Sequence, residues 1–465
     1  MSPNARKPRR RPLDPARAAA FEVLRAVTER DAYANLALPA LLRERGISGR
    51  DAAFATELTY GTCRARGLLD AVIGASAGRP PEAINPVLLD LLRLGTYQLL
   101  RTRVGAYAAV STTVEQAGIE FDSARAGFVN GVLRTIARRD EKSWVDELAP
   151  DPTRDPVGHA AFVHAHPRWI AQAFADALGA AAGELDAALA SDDERPQVHL
   201  AARPGVLTAG ELASKLGPAV HGTVGRYSPY AVYLPGGDPG QLAPVRNGQA
   251  LVQDEGSQLV ARALTLVPVD GDTGRWLDLC AGPGGKTALL AALGLDQHPE
   301  SGVRVTAVEP SPGRADLIVD NTRGLPVDVL RVDGRHTDLD PGFDRVLVDV
   351  PCTGLGALRR RPEARWRRQP ADVPALTKLQ RELLAAAIAL TRPGGVVLYA
   401  TCSPHLAETV GVVADALRRH PVCALDTRPL LQPVDEGLGD GPYAQLWPHR
   451  HGTDAMFAAA LRRLT

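Results

Sequence analysis

The stretch that decides the fold of this chain is Leu277-Asp278-Leu279-Cys280-Ala281-Gly282-Pro283-Gly284-Gly285-Lys286-Thr287. It joins an apolar run, typical of a buried strand, to a glycine-rich turn and then to a segment of helical character. Small residues let a ligand approach the backbone, and the free N–H groups at a helix start favour anionic or hydrogen-bond-accepting groups. The stretch therefore predicts a strand, a ligand-binding turn and a helix.

Two other interpretations of this turn need to be weighed. Its glycines could serve only the geometry of a tight connection between strand and helix. A phosphate-binding NTPase loop is disfavoured, because the spacing G-x-x-x-x-G-K-[ST] would require glycine at position 281, which is Ala281.

Downstream of the turn, short β-branched apolar runs alternate with helical segments. The predicted strands are Trp276–Leu279, Val303–Val308, Val327–Val332, Arg345–Val350 and Val396–Ala400, and the predicted helices include Lys286–Leu293, Arg314–Thr322 and Leu376–Leu390. This alternation indicates an α/β fold with a parallel sheet covered on both faces. Ligands of such folds bind beyond the carboxyl ends of the strands, near the topological switch point.

Acidic residues stand at three successive strand ends of the predicted sheet, at Glu309, Asp333 and Asp349. A carboxylate in the position of Glu309 can accept both hydroxyls of a ribose, as in dinucleotide-binding folds. A single acid at a strand end is usually a helix cap or a solvated residue. Three on one sheet edge favour a nucleotide-type cofactor site.

Two cysteines follow strands on this same edge, Cys352 in Asp349-Val350-Pro351-Cys352 and Cys402 in Ala400-Thr401-Cys402-Ser403. A thiolate is a strong nucleophile, so a pair of thiols near a cofactor site indicates covalent catalysis. The usual alternative is that a cysteine is a small buried apolar residue, and we assign that role to Cys63 and Cys423. Cys280 is expected to line the turn through its backbone.

Composition limits the remaining classes of function. The chain has 465 residues, zero net charge, 45% apolar residues and five scattered cysteines without metal-ligand spacing. We therefore expect a cytoplasmic protein of two or three domains, without a membrane span, disulfide framework or metal site, and most simply a monomer. Arginines crowd the segment from Arg359 to Arg368 around Trp366, which favours contact with nucleic acid over a merely solvated loop.

Four regions follow from these patterns. Residues 1–12 form a basic tail, 13–150 an all-α domain of five to seven helices, 165–248 a small mixed α/β subdomain and 249–465 the α/β domain. Asp14 followed by Pro15 is typical of a helix N-cap with proline at the first helical position. Strand-like residues Val198–Ala202 follow two helical segments in the mixed region.

In combination these motifs resemble the Sun/Fmu/Nol1/Nop2 family of RNA cytosine-5 methyltransferases, which use S-adenosylmethionine. The residues that carry the resemblance are the turn Cys280–Lys286, Asp349–Gly354 with Arg360–Pro362 and Arg365-Trp366, Tyr399–Ser403, Gly452–Phe457 and Val252–Gln258. Upstream, Arg50-Asp51, Tyr60-Gly61 and Gly127–Arg134 are similar to a NusB-like helical domain, as found in the bacterial enzyme that acts on small-subunit ribosomal RNA.

The resemblance implies a Rossmann-like class I methyltransferase domain after a NusB-like RNA-binding domain. It implies methylation of cytosine C5 in ribosomal RNA, most simply 16S rRNA, with Cys402 as the nucleophile that attacks C6 and Cys352 assisting product release. Asp349 and Lys286 complete the expected catalytic group. The expected cofactor-binding residues are Cys280, Ala281, Gly282, Pro283, Gly284, Gly285, Lys286, Glu309, Asp333 and Asp349.

Spacing alone leaves the order of the two thiols open, since DNA cytosine methyltransferases use the cysteine of the Pro-Cys motif. Three alternative functions also stay open. One is a non-catalytic RNA-binding factor in ribosome assembly, one a cytosine-5 methyltransferase acting on tRNA, and one a DNA methyltransferase, which the Thr-Cys motif disfavours. The resemblance does not identify the target nucleotide.

Overall fold

The computed structural model describes residues 13–218, 220–297 and 302–465, so the predicted basic tail lies outside the described residues. The chain divides into two compact units. The helical unit comprises the chain up to Ala171 together with Arg360–Trp366. The α/β unit comprises Gln172–Arg359 and Arg367–Thr465.

The described part of the helical unit contains eight complete α-helices, seven of which begin before residue 145, and this confirms the all-α prediction. The helices are α1 Pro15–Arg30, α2 Ala34–Glu44, α3 Gly49–Ala77, α4 Pro86–Arg101, α5 Ala106–Glu120, α6 Ser123–Ile136, α7 Glu141–Leu148 and α8 Pro156–Val163. The Asp14 side chain accepts a hydrogen bond of 2.9 Å from the backbone N–H of Arg17, so the predicted cap is present. The long helix α3 packs against α1 and α4, and Leu58, Leu68 and Leu92 are fully buried in the core.

The segment Arg360–Trp366 packs within the helical unit, far in sequence from its partners. A Cβ atom added at Gly67 would lie 2.4 Å from the Trp366 ring, so glycine is required for the ring to pack there. Arg365 is fully buried, and its guanidinium donates to the carbonyl oxygens of Arg64 and His164 at 3.3 Å each. The expectation of a nucleic-acid surface here is wrong for Arg365, because a buried guanidinium cannot reach a phosphate.

The α/β unit begins with a small antiparallel sheet, in the strand order β2-β3-β1-β4. The predicted strand Val198–Ala202 is present with those bounds. The elements of this part are α9 Arg168–Leu178, whose first turn is counted with the helical unit, α10 Leu185–Asp193, β1 Val198–Ala202, α11 Ala209–Leu216, β2 Thr223–Val224, β3 Ala231–Leu234, α12 Ala243–Arg246 and β4 Ala250–Val252.

The rest of the unit forms a second, larger sheet with helices on both faces. Its elements are α13 Glu255–Leu266, β5 Arg275–Asp278, α14 Gly285–Gln297, β6 Arg304–Val308, α15 Pro312–Asn321, β7 Val327–Leu330, β8 Phe343–Asp349, α16 Ala364–Arg367, whose first three residues belong to the helical unit, α17 Asp372–Leu390, β9 Thr391–Thr401, α18 Val410–Arg419, β10 Val422–Ala424, β11 Ala444–Gln445, α19 Pro448–His451 and β12 Phe457–Arg463. The order is β10-β12-β9-β8-β5-β6-β7, with β11 paired to β12.

The predicted parallel sheet is confirmed for β7, β6, β5, β8 and β9, which carry all five predicted strands. The sheet is mixed, however, because β12 runs antiparallel to β9, and β10 runs antiparallel to β12. Such an antiparallel edge on a parallel sheet is common in large α/β folds. The third predicted strand is shorter than expected, since β7 ends at Leu330.

Apolar side chains pack on both faces of the larger sheet. Leu259 and Leu290 pack with Leu398 in one buried cluster, and Leu384 packs with Val397 in another. The strand order reverses between β5 and β8, so the carboxyl ends of these strands flank the switch point where ligands of such sheets bind. No helix in the described ranges is both long and apolar enough to cross a lipid bilayer.

Candidate active site

The register of the sheet places the two cysteines side by side. Asp349 at the end of β8 pairs with Ala400 near the end of β9, and the backbone N–H of Val350 donates to the carbonyl oxygen of Ala400 at 3.0 Å. Cys352 and Cys402 follow these paired positions by three and two residues. Their Sγ atoms lie 3.5 Å apart, and both residues are partly exposed. The two predicted thiols therefore share one site.

The surroundings of Cys352 keep its thiol protonated. The hydrogen bond with Cys402, burial, and the negative charges of Cys402 and Glu408 raise the pKa of Cys352 well above the usual range. A protonated Cys352 can donate a hydrogen bond to a Cys402 thiolate. The raised pKa therefore leaves Cys352 as a hydrogen-bond donor at this site.

Lys286, in the first turn of helix α14, reaches the same site. Its Nζ atom donates to Asp349 Oδ2 at 2.7 Å and to Ser257 Oγ at 2.9 Å. Burial lowers the pKa of Lys286, but the charge and hydrogen bond of Asp349, with the charge of a Cys402 thiolate, outweigh burial and leave the pKa raised. The ammonium group therefore stays charged at this site.

Asp278 ends strand β5 directly before the glycine-rich turn. Its side chain is buried and accepts a hydrogen bond of 2.7 Å from Thr287 Oγ1. Burial raises the pKa of Asp278 to about 7, and the negative charge of Asp349 acts in the same direction. Sequence analysis did not assign a role to Asp278, although its place at the strand end was a usable signal.

The glycine-rich turn and Glu309 lie close together, as predicted. Glu309 is almost fully buried, and its Oε1 accepts from the backbone N–H of Ser311 at 2.9 Å. A Cβ atom at position 282 would lie 2.1 Å from Glu309 Oε2, so only glycine leaves room for this carboxylate beside the turn. Arg314 also approaches Glu309 Oε2, at 3.4 Å. The turn and the carboxylate are therefore in direct contact at the carboxyl edge of the sheet.

Asp333 lies in a more open position than the other predicted acids. It follows β7 by three residues, and its carboxylate pairs with the Arg335 guanidinium at 2.7 Å. Arg335 in turn contacts Glu382 at 2.9 Å. The hydrogen bonds from Arg335 lower the pKa of Asp333 to about 2. A cofactor group at Asp333 would have to share this carboxylate with Arg335.

Sequence analysis missed Glu408, a fully buried residue that connects the two cysteine loops. Its carboxylate accepts from the backbone N–H of Thr353 at 2.8 Å and from Ser403 Oγ at 2.7 Å. Thr353 follows Cys352 and Ser403 follows Cys402. Position along the chain gives no signal for such a role, because a glutamate before a helix usually caps it or is solvated.

Arg359 was predicted to contact nucleic acid, but it is buried in the α/β unit. Its Nε donates to Asp454 at 3.0 Å and its terminal nitrogen contacts Asp254 at 3.3 Å. The backbone N–H of Asp454 also donates to Asp254, at 3.1 Å. Arg359 therefore stabilises the loop after Cys352, and the prediction is wrong for this residue. In the described ranges, no cluster of three or more His, Cys, Asp or Glu is placed to hold a metal ion.

Comparisons with known proteins agree with this geometry. Residues 263–462 match the family described as 16S rRNA methyltransferase RsmB/F, and residues 14–138 match the NusB family. A Mycobacterium tuberculosis protein named "Putative methyltransferase" is 85% identical, with all of both chains covered. A "Ribosomal RNA small subunit methyltransferase B" of Erwinia tasmaniensis is 32% identical and covers 96% of this chain and 98% of its own.

Solved structures support the fold. The crystal structure of PH0851 superposes with a TM-score of 0.78 at 23% identity and covers 97% of this chain and 99% of its own. NSun6 from Pyrococcus horikoshii with SFG has a TM-score of 0.54 at 18% identity, covering 64% of this chain and 98% of its own. The chain is thus an all-helical NusB region followed by a methyltransferase domain with a mixed sheet, and it belongs to the RsmB/F family of RNA cytosine-5 methyltransferases.

Proposed function

We propose that this protein methylates C5 of cytosine in ribosomal RNA, most simply the 16S rRNA of the small subunit, through a covalent adduct between Cys402 and C6 of the base. The observation that carries the proposal is the pair of thiols with Sγ atoms 3.5 Å apart at the ends of two parallel strands. Membership of the RsmB/F family supports ribosomal RNA as the substrate.

S-adenosylmethionine is the cofactor that the family implies, and the site fits it. The turn Cys280–Gly285 would approach the ligand through its backbone, and Glu309, whose carboxylate packs against Gly282, would accept ribose hydroxyls. Asp333 and Asp349 extend the same edge of the sheet. When bound, the cofactor supplies the methyl group that C5 of the activated cytosine accepts.

The chain's own residues activate the base. Cytosine C5 is a poor nucleophile, but addition of the Cys402 thiolate to C6 gives C5 the electron density of an enamine. The Lys286 ammonium favours the thiolate, while Asp349 is held by Lys286 at 2.7 Å in a position to hydrogen-bond the base edge. After C5 loses its proton, the Cys402–C6 bond breaks, and Cys352 assists release as the neighbouring thiol. The base must be unstacked for this attack, so looped or single-stranded RNA is the expected substrate.

The two thiol roles are tested by substituting each cysteine and adding RNA and S-adenosylmethionine. We expect Cys352→Ala to accumulate a protein–RNA adduct that survives denaturation, because release is impaired, and Cys402→Ala to form none. Denaturing gels with labelled RNA measure the adduct. The opposite pattern would exchange the two roles.

The substrate is tested by bisulfite sequencing of ribosomal RNA and tRNA from cells with and without this gene. Loss of methylation at a 16S rRNA cytosine is the expected result, with restoration by the wild-type gene and none by Cys402→Ala. A loss confined to tRNA would favour the tRNA alternative. Full complementation of a growth defect by Cys402→Ala would instead support a non-catalytic role in ribosome assembly.

A further inference from the structure

We propose that Glu408 is a positioning residue that sets the distance between the two catalytic thiols. Its carboxylate lies between the loop that follows β8 and the loop that follows β9. It accepts four hydrogen bonds, at 2.8 Å from Thr353 N, 2.5 Å from Thr353 Oγ1, 2.7 Å from Ser403 Oγ and 3.0 Å from Gln380 Nε2. This inference rests on the proposed function and deepens it.

The bonds of Glu408 act on both sides of the cysteines. Thr353 and Ser403 each come directly after a cysteine, so holding them restrains both Sγ atoms. Gln380 Nε2 also donates to the carbonyl oxygen of Pro351 at 2.9 Å, directly before Cys352. Cys352 is therefore flanked by two residues that connect to the same carboxylate.

The backbone of Glu408 is fixed as well. The Tyr399 hydroxyl donates to the carbonyl oxygen of Glu408 at 2.5 Å, and Tyr399 lies in strand β9, fully buried. The carboxylate thus cannot follow a movement of one loop without breaking bonds to the other. A second connection between the loops, from Gly356 N to the carbonyl oxygen of Cys402 at 2.9 Å, is backbone only and does not depend on Glu408.

A carboxylate fills this position, because it offers about four lone-pair sites to four neutral donors. A glutamine could still accept from Thr353 N and Gln380 Nε2 through its carbonyl oxygen, but its amide N–H₂ would have to donate to the Thr353 and Ser403 hydroxyls, and it would carry no negative charge. The negative charge also contributes to the raised pKa of Cys352. Geometry and charge therefore agree that Glu408 keeps Cys352 as the protonated partner of Cys402.

The spacing of the thiols can be measured without RNA or cofactor. Phenylarsine oxide reacts with two neighbouring thiols, forming two As–S bonds and releasing one water. We expect the wild-type protein to bind one equivalent across Cys352 and Cys402, seen as a mass increase and the loss of two titratable thiols. Cys352→Ala and Cys402→Ala should abolish this bridging, and Glu436→Ala, at an exposed glutamate of the same unit, should leave it unchanged.

Glu408→Ala should weaken arsenical bridging at least about ten-fold. It should also lower kcat for methylation about 100-fold, as expected when a reacting group is displaced by about 1 Å. The KM values for RNA and cofactor should stay unchanged. Glu408→Gln should restore part of both. If Glu408→Ala does not fold, as judged by thermal unfolding, Thr353→Val removes only the bonds of Thr353 Oγ1, to Glu408 and to Ser403 Oγ, and should lower both quantities several-fold.

The inference is overturned if Glu408→Ala, once folded, bridges the arsenical as tightly as the wild type, or if bridging weakens while kcat is unchanged. A different result would refute the proposed function. Wild-type protein that bridges the arsenical but methylates no RNA would refute the proposed reaction, while loss of bridging in Glu408→Ala would still support the positioning role.

Discussion

Polar side chains at the strand ends of the active site and polar side chains in the arginine-rich stretch after Cys352 are buried in different surroundings. Asp278 and Cys352 are held where burial and neighbouring negative charges raise their pKa values. Arg359, in contrast, lies against two carboxylates, and Arg365 is packed inside the helical unit. At these two residues displaced pKa values coincide with the active site, whereas the two arginines have their charge or donors satisfied by neighbouring groups. The number of arginines in a segment therefore says little about whether it meets nucleic acid.

The largest expected effect on stability comes from Arg359→Met. The substitution leaves the buried carboxylates of Asp254 and Asp454 without this cation, at a cost of about 3 to 5 kcal/mol in the free energy of unfolding. Urea denaturation of the full chain measures it. Arg331→Met is the matched control, since Arg331 forms an exposed ion pair with Asp316 and should leave the midpoint unchanged. Equal stability of both variants would mean that Arg359 is not structural.

Lys286→Met should lower kcat about 100-fold, because the ammonium that favours the Cys402 thiolate is lost while Asp349 stays negative. The KM for RNA should change little. Steady-state methylation kinetics give both values, with Lys378→Met as control at an exposed lysine of α17. An increase of KM with constant kcat would instead place Lys286 in binding, and the contrast between chemical and structural polar groups would weaken.

Asp278→Asn tests the raised pKa through stability. The folded pKa of about 7 exceeds the unfolded value near 4, so folding takes up a proton between these values and the contribution of Asp278 declines as pH rises from 4 to 7. The asparagine side chain does not titrate, so the stability of Asp278→Asn lacks this dependence on pH. The stability of the wild type relative to Asp278→Asn should thus fall by roughly 4 kcal/mol over that window and level off above it.

Urea denaturation at several pH values measures this difference. Asp296→Asn, at an exposed aspartate of α14, should show no such trend. A difference between wild type and Asp278→Asn that does not vary with pH would show that Asp278 titrates normally.

The smallest effect is expected for Gly67→Ala, which sharpens the structural side of the comparison. Its Cβ would lie 2.4 Å from the Trp366 ring and should destabilise the protein by about 1 to 2 kcal/mol. Gly131→Ala is the matched control, because a Cβ there meets no atom within 4 Å and alanine favours helix by up to about 1 kcal/mol. Calorimetry should show transitions moving in opposite directions. A shift in the same direction would argue against close packing of Trp366.

Local patterns predicted what depends on neighbours in sequence. The turn before Lys286 and the strands carrying Asp349 and Cys402 could be read from alternating apolar runs, and the parallel order then brings their carboxyl ends together. The hydrogen bonds of Glu408 to the two cysteine loops could not be predicted, because Thr353 and Ser403 become its donors only when the two loops meet in the folded chain. Nor could the packing of the Trp366 ring against Gly67, which lies in a helix distant in sequence.

The antiparallel end of the sheet was harder to predict than its parallel part. Strand β12 is separated from β9 by helix α18 and several short elements, so nothing near Phe457 indicates its partner. Asp333 differs for a local reason, because β7 ends at Leu330 and Asp333 lies beyond the strand, paired with Arg335 two residues away. Long-range pairing decides the place of β12, and a single sequence does not encode it locally.

The return of Arg360–Trp366 to the helical unit has a consequence for synthesis of the chain. The ribosome must add some 190 residues after Ala171 before this segment exists, which takes roughly 10 to 40 s at about 5 to 20 residues per second. During that interval the surface of helix α3 at Gly67 lacks the Trp366 ring that packs against it in the folded protein. The helical unit is the first to be made, yet its packing is completed only when most of the α/β unit has been translated.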